Sequence, residues 1–155
     1  MKRAVVLICL LILVSGALSI AGEKENDSKQ ELKQAIMRGK ELFVDESLGT
    51  NGMSCNSCHV EGGTKPGKMG DMEIPPFANV AKKYPMYFKM AEKVMTLDQV
   101  INFCIITPME GKPLAWDDQR VADLASYIAW VNARKHEKQE SMEMEKKEKK
   151  EKKEK

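Results

Sequence analysis

Apolar and polar positions along the chain fall into stretches of different character. The first has no amphipathic period: Met1-Lys2-Arg3, an unbroken apolar run from Ala4 to Val14, then small residues through Ser19-Ile20-Ala21. Two positive charges, a short apolar core and a small-residue exit describe a secretory signal over residues 1–21, cleaved before Gly22. The run is shorter than the about 20 residues a membrane span requires, so no transmembrane span is expected in the mature chain. A helical period then begins near Ser28, a good N-cap, with Leu32, Ala35, Ile36, Leu42 and Phe43 on one face. Gly39 leaves a flat spot on that face. A mid-helix Gly costs about 1 kcal/mol relative to Ala, which points to a close helix–helix contact there.

A second helix opens at Thr96, where Thr96 and Gln99 make a capping box. Leu97, Val100, Ile101, Cys104 and Ile105 form its apolar stripe and Pro108 marks its end. A third starts near Asp117-Asp118, whose carboxylates suit a helix N-terminus. Val121, Leu124, Ala125, Ile128 and Val131 form its buried face, flanked by Tyr127 and Trp130. No stretch alternates in the manner of a strand, so an all-α domain is expected over residues 22–133.

The charge of the 155-residue chain changes its meaning once it is divided. The total is 25 basic against 23 acidic residues, a formal +2, which lacks the basic excess of a nucleic-acid binder. Lys2 and Arg3 belong to the leader. Residues 134–155 hold ten basic residues and seven Glu, leaving 13 basic and 16 acidic residues in the domain. That tail has nothing to bury and cannot offset its own ordering entropy, although Glu and Lys would also let it prolong the preceding helix as a solvated rod. It reads as a solubilising tail or as a docking arm for an acidic partner or an anionic surface.

The candidate chemistry lies at Cys55-Asn56-Ser57-Cys58-His59. C-x-x-C-H is the attachment signature of a c-type haem. Two thiols one helical turn apart reach the two vinyl groups of one porphyrin, and His59 is placed to ligate the iron from the same side. A zinc site needs four ligands, and the mature chain adds only Cys104 and His136. A thioredoxin-like redox pair needs a βαβ context that is absent from the pattern. One covalent haem c is therefore expected. Of the methionines after the motif (Met69, Met72, Met86, Met90, Met95, Met109), most suit packing. Met109, in a loop between two helices, is the best distal ligand. Cys104 is its rival, since it is a lone thiol in an exported chain once Cys55 and Cys58 hold the haem.

A first helix with Gly39-x-x-x-Phe43, the haem motif, a middle helix, a Met loop and a last helix with Leu124-x-x-Tyr127 together resemble the class I cytochrome c fold. In that fold the first and last helices cross at the Gly and the aromatic, here Gly39 and Tyr127. More specifically, Gly52-Met53-Ser54-Cys55-Asn56-Ser57-Cys58-His59, Tyr84-Pro85, Thr96-Leu97, Ile101-Asn102, Cys104 and Met109-Glu110-Gly111-Lys112-Pro113-Leu114 resemble one haem domain of the thiosulfate dehydrogenase and sulfur-oxidation cytochrome family. The likeness covers most of residues 35–132. It implies that Cys104 stands where a Cys ligates the iron in that family. Val100 and Pro108 stand where the family often carries Arg, which removes bidentate donors for a sulfur oxyanion. Lys112 remains as a possible anion contact. The family enzymes pair two such domains, and this chain has one C-x-x-C-H.

These readings point to a periplasmic, or otherwise exported, monohaem cytochrome. It would carry electrons between redox proteins that dock transiently. The alternative is a haem enzyme, or enzyme subunit, that oxidises thiosulfate or a related sulfur compound. A third reading is a haem-binding assembly subunit whose tail recruits a partner.

Overall fold

The computed structural model describes residues 24–77 and 80–151; the expected leader, residues 1–21, lies outside them. The chain divides into two compact units, residues 1–34 and 35–155, and each is taken by itself. In the first, residues 24–34 are helical and exposed, and Lys29 Nζ pairs with Glu25 Oε1 at 2.7 Å. Ser28 is therefore no N-cap: its hydroxyl donates to the Glu25 carbonyl at 3.0 Å, a local bond within helical backbone. Leu32, placed by periodicity on the apolar face, is exposed.

The second unit begins with helix α1, residues 35–43 of the helical stretch 24–43. A 3₁₀ turn (Glu46–Leu48) and two one-turn helices, α2 (Cys55–Cys58) and α3 (Val60–Gly63), follow. After them come hairpin β1 (Gly67–Met69) and β2 (Met72–Ile74), helix α4 (Val80–Lys83), and hairpin β3 (Met86–Phe88) and β4 (Lys93–Met95). Helices α5 (Leu97–Ile106) and α6 (Gln119–Glu151) complete the described chain. The helical backbone of α6 thus runs well into the Lys/Glu-rich tail.

The two antiparallel hairpins correct the expectation of a purely α domain. Met69 pairs with Met72 across Gly70-Asp71, and Phe88 pairs with Lys93 across a four-residue loop. Three-residue strands are too short to show the alternation that marks a strand. Gly70, at φ 58°, supplies the left-handed turn residue that closes the first hairpin.

All three expected helices are present, and the second and third open where the sequence placed them. Helix α5 opens on the Thr96–Gln99 capping box, with Thr96 N–H donating to Gln99 Oε1 at 3.1 Å. Its stripe buries Val100, Ile101 and Ile105, and leaves Leu97 and Cys104 half-buried. Helix α6 buries Val121, Leu124, Ile128 and Val131. Tyr127, expected at the flank, is buried in the core, while Ala125 and Trp130 are half-buried. Phe43 from α1 and Met109 from the α5–α6 loop complete the same cluster.

Helices α1 and α6 meet at Gly39. A Cβ there would overlap the Asp123 carbonyl oxygen and come within 2.8 Å of Tyr127 Cβ. Beside this contact the Arg38 guanidinium donates twice to the buried Asp123 carboxylate, at 2.8 and 3.0 Å. Gln119 Nε2 adds a third bond at 2.9 Å. A buried carboxylate is tolerated only when so satisfied. The Arg38 bonds, chiefly, hold the Asp123 carboxyl below its ordinary range.

Candidate functional site

Helix α2 is one turn long, and its ends are fixed by backbone bonds rather than by length. The Ser57 N–H donates to the Ser54 carbonyl at 3.0 Å, the Ser54 N–H to Ser57 Oγ at 3.0 Å, and the His59 N–H to the Cys55 carbonyl at 2.9 Å. Cys55 and Cys58 are thereby held one turn apart, with His59 next in line. The chain then reverses through Glu61, Gly62 and Gly63, all at positive φ. Asn56 Oδ1 receives the Gly62 N–H at 2.8 Å, and the Tyr127 hydroxyl donates to the Gly62 carbonyl at 3.2 Å. Any Cβ on Gly62 would overlap that hydroxyl, so this reversal also needs glycine for space.

The motif opens onto a cavity of about 340 Å³. Cys55, Cys58 and His59 line it, and so do Cys104 from α5 and Met109 from the α5–α6 loop. All five candidate residues are thus brought to one space. The remaining wall is largely apolar: Phe43, Phe77, Val100, Ile101, Leu124 and Ile128, with Met53, Met69, Met72, Met86 and Met90. Met95 is buried but lines no part of it. Val100 and Pro108, which stand where the family often carries Arg, both face the cavity, whose carboxylate and ammonium groups among the described residues are Glu73 and Lys83. Lys112 is exposed and is not among the residues that line the cavity.

Burial sets the electrostatics. It pushes the Cys55 thiol up to about 12, with smaller contributions from negative charge on Cys104 and Cys58. It pushes Cys104 up to about 11, with Cys58 adding to the effect. Cys58 is raised and His59 lowered by burial, and Tyr84 is raised first by burial and then by Cys104. At neutral pH the site therefore holds neutral thiols and a neutral imidazole. Cys104 shares the cavity wall with Cys55 and Cys58.

Met109 is 2% exposed, and its loop is stitched to the segment just before the motif. Thr50 N–H donates to the Met109 carbonyl, Thr50 Oγ1 to the Glu110 carbonyl and Asn51 Nδ2 to the Pro108 carbonyl, each at 2.9 Å. Asn102 clamps the far end: its amide donates to the Leu114 carbonyl at 3.1 Å and accepts from the Leu114 N–H at 2.8 Å. Thr50, Asn51 and Phe77 carried no signal in the pattern, because each acts through a partner distant in sequence. Among the described residues, no group of three or more His, Cys, Asp or Glu is arranged to hold a metal ion.

With this geometry in place, the comparisons become specific. The cytochrome c domain shared by SoxA and TsdA matches residues 38–136. The chain belongs to the SoxA/TsdA cytochrome c domain family. Its similar relatives are thiosulfate dehydrogenases. That of Allochromatium vinosum is 28% identical over 65% of this chain and 38% of its own length. That of Stutzerimonas stutzeri is 25% identical over 81% and 49%, and that of Psychrobacter arcticus 27% over 66% and 31%. The chain thus spans between about a third and a half of these curated relatives. A domain of this family implies haem c, and the residues fit one. Paired thiols, an imidazole with a buried, unpartnered Nδ1 and an apolar cavity all adjoin. No helix among the described residues is long and apolar enough to cross a membrane.

Proposed function

We propose that the chain is an exported, periplasmic c-type cytochrome that carries electrons through one covalently held haem, in a class I cytochrome c domain over residues 22–133. The observation that carries this reading is the convergence of Cys55, Cys58, His59 and Met109 on one apolar cavity. Cys55 and Cys58 would form the thioether links and His59 would be the proximal ligand. Met109 is the proposed distal ligand, with Cys104 as the alternative. When bound, the haem supplies the one-electron chemistry. The chain's own residues bind it, orient it and keep water from it. The buried apolar wall favours the less charged state of a bound group, and a thioether ligand acts in the same direction by raising the potential. The acidic domain and basic-leaning tail would set the charge seen by redox partners that dock transiently.

The test is haem content and optical spectrum of protein exported from a host with a haem-attachment system. Wild type should carry one covalent haem, and Cys55→Ser with Cys58→Ser should carry none. Wild type purified without haem would overturn the reading.

A second reading, a sulfur-compound-oxidising haem protein or subunit, is favoured by Cys104 facing the cavity beside the motif thiols. Thiosulfate turnover with an artificial electron acceptor, lost on Cys104→Ala, would establish it.

A further inference from the structure

A hairpin one layer thick sends alternate residues to opposite sides. One side of β3–β4 is turned to the cavity. Met86 and Phe88 line it, and Phe88 meets Phe103 of α5 edge-on, with ring centroids 5.3 Å apart. Met95, opposite Met86, is buried. The other side faces solvent, where polar residues are the rule. It carries Tyr87 and Val94 instead. These two are directly opposed in the ladder and so share a face, and they are 57% and 64% exposed.

The charge around this pair runs against that of the domain. Between Val80 and Met95 stand Lys82, Lys83, Lys89 and Lys93 against a single acidic residue, Glu92. The rest of residues 22–133 holds nine basic and fifteen acidic residues. All four lysines are exposed. Lys82 and Lys83 close α4 just ahead of β3, and Lys89 and Lys93 stand at the loop end of the hairpin. An aromatic and an aliphatic side chain inside a polar, basic rim have the anatomy of a protein-docking surface. Two apolar side chains make no face broad enough to enter a bilayer, so an acidic protein is the occupant that fits.

We propose that the outer face of β3–β4 is the docking surface for an acidic redox protein, with Tyr87 and Val94 at its centre and Lys82, Lys83, Lys89 and Lys93 around them. The inference rests on the electron-carrier reading and names the chemistry of the partner. A protein seated there is separated from the cavity by one hairpin layer, and stacked layers lie about 10 Å apart. Electron transfer falls steeply with distance, so this thin wall is a favourable crossing. The transfer moves one electron from the reduced partner to the oxidised cytochrome and breaks no bond. The lysines steer the encounter, and the apolar pair holds it.

The probe is flavodoxin, a small acidic flavin protein, and the haem content of the exported cytochrome is measured first. Titration with oxidised flavodoxin should move the amide resonances of residues 82–95. Reduced flavodoxin is then mixed with the oxidised cytochrome in stopped flow. Lys89→Glu with Lys93→Glu should slow the second-order reaction about tenfold at low ionic strength and flatten its salt dependence. Lys40→Glu with Lys112→Glu makes the same change in net charge at exposed positions of α1 and the α5–α6 loop. That pair should slow the reaction less than about twofold. Tyr87→Thr keeps strand propensity and should weaken binding about fivefold. Equal slowing by the two lysine pairs, shifts confined to residues outside 82–95, or unchanged binding by Tyr87→Thr would overturn the inference. So would shifts produced by phosphatidylglycerol vesicles and not by flavodoxin. Wild type without haem would remove the electron-carrier reading instead, while the shift map still locates the surface, so the two failures are distinct.

Discussion

Gly39 lies against Asp123 so closely that a methyl group on Gly39 would overlap the Asp123 carbonyl oxygen. The obstacle is backbone on one side and Tyr127 Cβ, 2.8 Å from that methyl position, on the other. Neither is the yielding tip of a long side chain. Gly39→Ala would ordinarily gain helix propensity. Here it should instead destabilise the fold by about 2 to 3 kcal/mol, the cost of overpacking a tight contact. Urea unfolding followed by circular dichroism measures it; a stabilised variant would mean that the helices are not in contact.

The ion pair beside that contact predicts an acid response. Arg38, chiefly, holds the Asp123 carboxyl below its ordinary value of 3.8. A carboxyl with a depressed folded pKa contributes its full stability above its unfolded pKa and loses it as pH falls through the folded one. Arg38→Leu should cost about 2 kcal/mol near neutral pH, because it strips a buried carboxylate of two charged hydrogen bonds. The variant should also lose less stability than wild type as the pH falls from about 5 to about 3. Parallel urea midpoints at the two pH values check the sign. An equal acid loss in both proteins would contradict it.

Met109 combines near-complete burial with a place on the cavity wall, so its substitutions separate packing from ligation. Met109→Ala should cost about 2 to 5 kcal/mol through the space it leaves. Met109→Leu conserves volume and should cost less than about 1.5 kcal/mol. If Met109 is the distal ligand, Met109→Leu abolishes the weak long-wavelength band of thioether-ligated ferric haem while Cys104→Ala keeps it. A wild-type spectrum without that band, altered by Cys104→Ala and not by Met109→Leu, assigns the ligand to Cys104.

Asn102 offers a control away from the cavity. Its amide satisfies both backbone groups of Leu114, and so closes the loop that carries Met109. Asn102→Ala should cost about 1 to 3 kcal/mol by leaving those groups unpaired. Amide hydrogen exchange should show faster exchange at Leu114 and, if the loop opens as a unit, across residues 108–114. Unchanged protection at Leu114 would exclude this clamp.

The motif and the helices were legible because their determinants are local. C-x-x-C-H encodes its own geometry through a single turn, and α5 announces itself by a capping box and a stripe. The hairpins were not legible, since three-residue strands hold too few positions to show a period. Gly70-Asp71 between Met69 and Met72 was the one available cue, a two-residue turn signal of the Gly-x kind. The start of the first helix was misplaced because Ser28 makes a local bond to Glu25, and the same hydroxyl would serve equally well as a cap.

From sequence alone came the candidate haem-binding residues, the two candidate distal ligands and the acidic character of the domain. These follow from residue type and short spacing. Tertiary structure alone decided that Met109 and Cys104 reach the same cavity and that Val100 and Pro108, which stand where the family often carries Arg, face it. Each of these depends on chain segments tens of residues apart being brought together by burial of the α1–α5–α6 core. No local pattern encodes which distant partner a side chain will meet.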